Sequence, residues 1–192
     1  MVFVDADMRF SRDFIENLTE PIQKGRTKGT FSKMEFIANW NNIWARFWNY
    51  RRGIFEPRAV PENYPSFSPV FRAILKSEFE KVGGFDEKKG YNDDWSLSER
   101  LRYKSMETKA MFYHNNPDSL LEAIGQAKWE AKRKYKLGFL GGLGNLWRGL
   151  SKLTKIEDSY LKTVLYVLFL LIVNMAAIAG VIEYYLKGSV RK

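Results

Sequence analysis

Val2-Phe3-Val4-Asp5-Ala6-Asp7 opens the chain with three apolar residues that run straight into two carboxylates spaced two apart. A short continuous apolar run of this kind predicts a strand buried on both faces, as in a parallel sheet, with the acids at its carboxyl end, where open α/β sheets bind their ligands. Two such carboxylates can share a divalent cation or divide between a cation and a ligand hydroxyl; the alternative is a solvated strand end. A strand of this type needs neighbours on both sides. The start of the chain is therefore expected to be the latter half of a larger domain, whose other strands come from elsewhere.

Outward from this stretch the first 136 residues read as mixed α/β. Ser11 is expected to cap a helix to about Ile22, and Ser32 a longer one to about Arg51 that carries Phe36, Ile37, Trp40, Ile43, Trp44, Phe47 and Trp48 at helical spacing. That aromatic stripe reads as core, with a ligand platform as the alternative. Pro57, Pro61, Pro65 and Pro69 predict an irregular loop leading to a strand near Val70 to Leu75. A short helix Ser77 to Lys81, a helix from Asp93 to about Tyr103, a strand Lys109 to Tyr113 and a helix from Pro117 to about Tyr135 follow.

Two more stretches carry chemistry. In Val82-Gly83-Gly84-Phe85-Asp86-Glu87 the glycine pair permits a tight turn and close backbone approach to a ligand. In Asn92-Asp93-Asp94-Trp95-Ser96-Leu97 two acids stand at a helix start, where the dipole favours them, so they read either as simple N-terminal residues or as a general base.

Composition narrows the chemistry. The 192 residues hold no cysteine and one histidine, His114, which excludes disulfides, thiolate zinc sites, cysteine nucleophiles and multi-histidine metal sites. Any metal is then held mainly by oxygen, which favours Mg²⁺ or Mn²⁺. Hydrophobic residues make up 45% and aromatics 16%, enough for a real core. Met1 to Val4 is too short for the apolar core of a secretory signal, so none is expected.

The tail decides where the chain resides. Thr163 to Ile182 runs without a charge for about the length a helix needs to cross a bilayer core of roughly 30 Å. Tyr160, Tyr166, Tyr184 and Tyr185 lie near its ends as interfacial anchors. Much of the net charge of +9 sits just before it, including Lys128, Lys132, Arg133, Lys134, Lys136, Arg148, Lys152, Lys155 and Lys162. Positive-inside logic therefore places the N-terminal part in the cytoplasm. Leu137 to Leu153, rich in Leu, Phe, Trp and Gly, is expected to be interfacial or re-entrant, with a glycine hinge as the alternative. Nucleic acid is not expected as a partner, since the positive excess clusters beside the apolar span and no nucleic-acid motif occurs.

Taken in order, VFVDADMRFS, EKVGGFDE, NDDWSLSERL and HNNPDSLLEAIGQAKW resemble the membrane-associated family 2 glycosyltransferases of GT-A fold over most of Val2 to Trp129. The resemblance implies an α/β chain with a partial GT-A (nucleotide-diphospho-sugar transferase) fold lacking its N-terminal strands, followed by a C-terminal transmembrane helix. The segments it implies are 1–136 for the latter part of the catalytic domain, 137–159 for a juxtamembrane stretch, 160–186 for the membrane helix and 187–192 for a basic tail. It further implies inverting transfer of a sugar from a nucleotide-diphosphate donor to a lipid-linked or glycan acceptor, with Mg²⁺ or Mn²⁺.

Residue by residue, Asp7 and Asp5 match the family's D-x-D motif, with Asp7 the direct metal ligand and Asp5 nearer the donor. Asp94 matches the acid before the aromatic residue in its E-D-W-like motif, hence the general base, while Asp93 stands where Glu is usual. Gly83, Gly84, Asp86 and Trp95 fall in the donor- and acceptor-binding blocks, and Arg72 is a candidate phosphate contact. His114 either approaches the metal or diphosphate or is a structural histidine. A chain lacking the first strands is expected to transfer sugar poorly by itself, with another chain as a possible source of the missing half. The alternative function is a catalytically silent membrane adaptor that retains the fold remnant.

Overall fold

A computed structural model describes residues 1–86, 93–144 and 160–188. It is mixed α/β, with two small sheets and a long apolar helix near the C-terminus. The described residues form two compact units that interleave along the chain. The first comprises residues 1–38, 57–86 and 93–115; the second takes 39–56 and the chain from 116 onward.

In the first unit a four-stranded sheet runs in the order β4 (Phe67–Ser68), β6 (Ser105–Thr108), β2 (Gly29–Ser32), β5 (Ala73–Ile74). A three-stranded sheet runs β1 (Arg9–Phe10), β7 (Phe112–His114), β3 (Glu35–Ile37). Each sheet contains one parallel pair, β2 with β6 and β3 with β7. The helix α1 (Phe14–Gln23) buries Phe14 and Leu18 against Ala73, Ala110 and Phe112.

Two sequence expectations are corrected here. Val2 to Val4 is not a buried parallel strand: Val2 makes an antiparallel bridge to Ala73, the Phe3 amide donates to the Arg72 carbonyl over 2.9 Å, and Val4 is 53% exposed. The run finds an antiparallel neighbour on β5, with Val2 packed on the cluster around Phe14 and Leu18 and Phe3 on the one around Phe71, Ile74 and Leu97. Nor does Ser32 start a helix. Residues 29–32 are wholly buried in β2, and the Ser32 hydroxyl donates to the Thr108 carbonyl and accepts from the Met34 amide. Phe36 and Ile37 belong to β3. The helix begins only at α2 (Ile43–Arg51), where the Asn42 side chain accepts from the Trp44 and Ala45 amides. Strand pairing satisfies backbone groups that a helix over the same residues would have satisfied internally, and the apolar spacing alone did not distinguish them.

The remaining elements differ mainly at their ends. α1 begins at Phe14 rather than beside Ser11, and of the expected strand Lys109 to Tyr113 only Phe112 and Tyr113 are in a strand, β7, while β6 ends before it at Thr108. α3 (Lys76–Lys81) and α4 (Asp93–Leu101) fall where expected, and α5 (Leu120–Glu130) is capped by the Ser119 hydroxyl.

In the second unit α2, α5 and α7 (Tyr160–Lys187) share a core of Phe47, Trp48, Ala123, Ala127, Tyr166, Phe169, Leu170 and Val173. α6 (Gly138–Gly144) lies against α7, where Val181 fills the space beside Gly142. Leu161–Lys187 within α7 is long and apolar enough to cross a membrane, with a mean hydropathy of 2.6. The expected interfacial stretch is described only as far as Gly144, and the basic tail only as far as Gly188; their remainders lie outside the described residues.

Candidate functional site

The first unit assembles its chemistry-bearing residues around one apolar cluster. Phe71, Ile74 and Leu97 form its buried centre, with Phe3, Phe79, Val82, Phe85, Leu101 and Tyr103 packed on it. Phe3, Phe79 and Phe85 make a mutual aromatic triad with centroids 4.9 to 5.2 Å apart. Such geometries contribute about 0.5–1.5 kcal/mol per pair beyond area burial. Phe3 belongs to the opening apolar run, Phe85 follows the glycine pair, and Leu97 is an inward residue of α4. The three stretches singled out in the sequence, each acidic at one end, are thereby fastened to one core.

The Asp5-Ala6-Asp7 stretch emerges from that core as a turn, in which the Met8 amide donates to the Asp5 carbonyl over 3.3 Å. Asp5 is well exposed and accepts from Arg72 Nη1 at 3.2 Å. Asp7 is exposed beside it. Arg72, largely buried, lies with its guanidinium 5.2 Å from the Phe112 ring centroid and has Glu35 Oε1 4.0 Å from its other terminal nitrogen. The same Glu35 oxygen is 2.8 Å from Nδ1 of His114, at an angle that makes no hydrogen bond to that buried nitrogen. Asp5, Arg72 and Glu35 thus form a chain of charge contacts, with the His114 ring beside Glu35.

Sequence reasoning missed Glu35, which was assigned to a helix. Its position follows from strand register: Glu35 opposite Phe112 and Ile37 opposite His114 put both side chains on the β3–β7 pair. A charged residue among the apolar positions of a supposed helix face was the available signal.

The glycine turn behaves as read. Gly83 and Gly84 have φ of +75° and +77°, a left-handed conformation that side chains with a Cβ resist. The pair is held from outside by Arg100 of α4, which donates to the Val82 carbonyl at 2.6 Å and also to the Gly84 carbonyl. Arg100 was not singled out in the sequence, because its role depends on a contact sixteen residues away from Gly84. Asp86, half-buried, follows the turn.

Asp94 is half-buried in the first turn of α4, and Trp95 beside it is 54% exposed. Asp93 begins the same helix, with Asn92 and Glu87 outside the described residues. A carboxylate here gains from the helix dipole, and the exposed indole offers a flat face to a ligand.

The expected metal set is corrected in one respect. Asp5, Asp7 and His114 do not gather as one group, and no cluster of three or more acidic or histidine side chains suited to a metal forms among the described residues. Asp5 is engaged by Arg72 and His114 faces Glu35, which leaves the exposed Asp7 as the carboxylate available to a cation. One carboxylate fits Mg²⁺ or Mn²⁺ only where substrate phosphate oxygens and water complete the shell.

No protein-family profile matches the chain, and no curated protein matches it either.

Proposed function

We propose that the chain is a membrane-associated glycosyltransferase of the GT-A type, working at the cytoplasmic face on a lipid-linked or glycan acceptor. The observation that carries this is the shared core: Phe3, Phe85 and Leu97 bring the Asp5–Asp7 turn, the Gly83–Gly84 turn and the start of α4 onto a single apolar cluster. Three dispersed acidic motifs on one scaffold are what a nucleotide-diphosphate sugar and its acceptor require, one acid for the departing group and one for the attacking hydroxyl.

In this scheme the donor's diphosphate lies over the Asp5–Asp7 turn. Arg72, held between Asp5 and Glu35, turns a terminal nitrogen toward a phosphate oxygen that competes with Asp5 for it. Asp7 would hold the divalent cation, which would supply neutralisation of the negative charge growing on the leaving diphosphate. The acceptor hydroxyl attacks the anomeric carbon from the opposite side, the carbon–oxygen bond to the diphosphate breaks, and Asp94 takes the hydroxyl proton. A general base in that role contributes about 10²- to 10⁴-fold to the rate. Trp95 stacks on the acceptor.

The engagement of Asp5 by Arg72 favours a second reading, in which the chain is a catalytically silent membrane adaptor. Membranes carrying the chain, supplied with labelled nucleotide sugars and Mn²⁺, separate the two. The transferase reading expects weak label in a lipid or glycan product, lost with Asp94→Asn; the adaptor reading expects no product from any donor.

A further inference from the structure

α7 meets its surroundings along two unlike faces. One face is closed by other elements of its own unit over most of the helix. Tyr166, Phe169, Leu170 and Val173 pack on α2 and α5, and the Lys128 carbonyl lies so near Gly180 that an added Cβ would stand 2.1 Å from it. At its far end Val181 packs on Gly142 of α6. The covering layer is charged. Lys128 and Lys132 pair with Glu183 of α7 at 2.9 and 3.1 Å, and Arg51 pairs with Glu130 at 2.8 Å.

The other face is uniformly apolar and exposed: Leu161, Leu165, Leu168, Ile172, Met175 and Ile182 follow one another at intervals of three, four or seven and are 37% to 70% exposed. Leu137, just before α6, and Leu140 within it are likewise exposed, at 76% and 75%. A contiguous surface of this extent marks an interaction site rather than ordinary exposure.

We propose that α7 lies in the plane of an anionic lipid surface, with its exposed face among the acyl chains, rather than crossing the bilayer. Crossing upright would carry α5 and its charges into the hydrocarbon alongside the span, since Ala123 and Ala127 share a core with α7 and Lys128 lies against Gly180 and Glu183. Lying flat leaves that layer in water and puts only apolar side chains into lipid. Charge complementarity selects lipid as the occupant: the described residues of this unit hold ten basic and five acidic side chains, and Lys134, Lys136 and Lys187 are exposed. Basic residues beside an apolar face are drawn to anionic headgroups. The inference goes beyond sugar transfer and stands whether or not the chain is an enzyme.

The absence of cysteine makes the test clean. Lys162→Cys and Lys187→Cys variants of the full chain are synthesised in the presence of preformed phosphatidylserine–phosphatidylcholine vesicles, then treated with a membrane-impermeant maleimide before and after detergent. The in-plane arrangement expects both positions to label fully from outside, with no gain on detergent. Protection of either one until detergent is added overturns it, as does a chain that fails to float with vesicles or that remains a soluble dimer. Retention on pure phosphatidylcholine severalfold below that on anionic vesicles supports the headgroup assignment, and equal retention overturns that part.

Discussion

Arg72 holds Asp5 at 3.2 Å from a largely buried position, while Asp5 itself is 66% exposed. The two ends of this pair are therefore unequal. Asp5→Asn removes a solvated partner and is expected to cost less than about 1 kcal/mol in a denaturant titration. Arg72→Ala takes a largely buried cation away from Glu35, which is only 15% exposed, and from the Phe112 face, for a loss of roughly 2–3 kcal/mol. Equal losses from both substitutions would show that Arg72 serves Asp5 alone.

The glycine pair yields a paired test of strain against contact. Both residues have positive φ, but a Cβ on Gly83 meets nothing within 4 Å, whereas on Gly84 it meets the Phe79 ring at 3.2 Å. Gly83→Ala is expected to cost about 1–2 kcal/mol from conformation alone. Gly84→Ala should cost more, because Phe79 belongs to the aromatic triad and has little room to yield. Thermal or urea unfolding of the two variants reads the difference.

A similar contrast lies on the α5–α7 contact. Gly180→Ala drives a Cβ into the Lys128 carbonyl, and a rigid backbone atom does not move aside cheaply, so a loss of about 3 kcal/mol or more is expected. Gly125, on α5 with open space around it, is the control: Gly125→Ala should gain about 0.5–1 kcal/mol from helix propensity. Unfolding midpoints in matched detergent decide it.

The Lys28–Glu78–Tyr103 group sets a pH dependence at each end of the scale. The hydrogen bond and charge of Lys28 hold the Glu78 carboxyl below its usual range. Its stabilising contribution is complete above the unfolded carboxyl's pKa and is lost as pH falls through the lower folded value. Burial and the neighbouring Glu78 push the Tyr103 phenol up. That contribution is complete below the unfolded phenol's pKa of about 10 and is lost as pH rises above it. Tyr103→Phe should flatten the alkaline limb of a stability–pH profile and Lys28→Met the acid limb. Unchanged limbs would contradict the assignment.

Elements whose signals are local were legible in the sequence. The uncharged run that becomes α7, the acids that open α4 and the glycines that end α3 each carry their cause within a few residues. Ser32 to Arg51 was misread because its apolar spacing suits a helix, while partners at Thr108 and Phe112, far along the chain, make two strands of its first part. Glu35 and Arg100 escaped notice for the same reason: each acquires its role from a contact that exists only after folding. The shared core of Phe3, Phe85 and Leu97 lay beyond sequence spacing altogether.

The central proposal is that Asp7 and Asp94 face one cleft that takes a cation-bound diphosphate. Amide resonances of the intact chain, recorded as Mn²⁺ and a nucleoside diphosphate are added together, test it most directly, since paramagnetic broadening detects even weak binding. Selective broadening is expected at Asp7 and Met8 and also at Asp94 and Trp95, and it should be abolished by Asp7→Asn. Broadening confined to one of the two segments, or undiminished by the substitution, would contradict it.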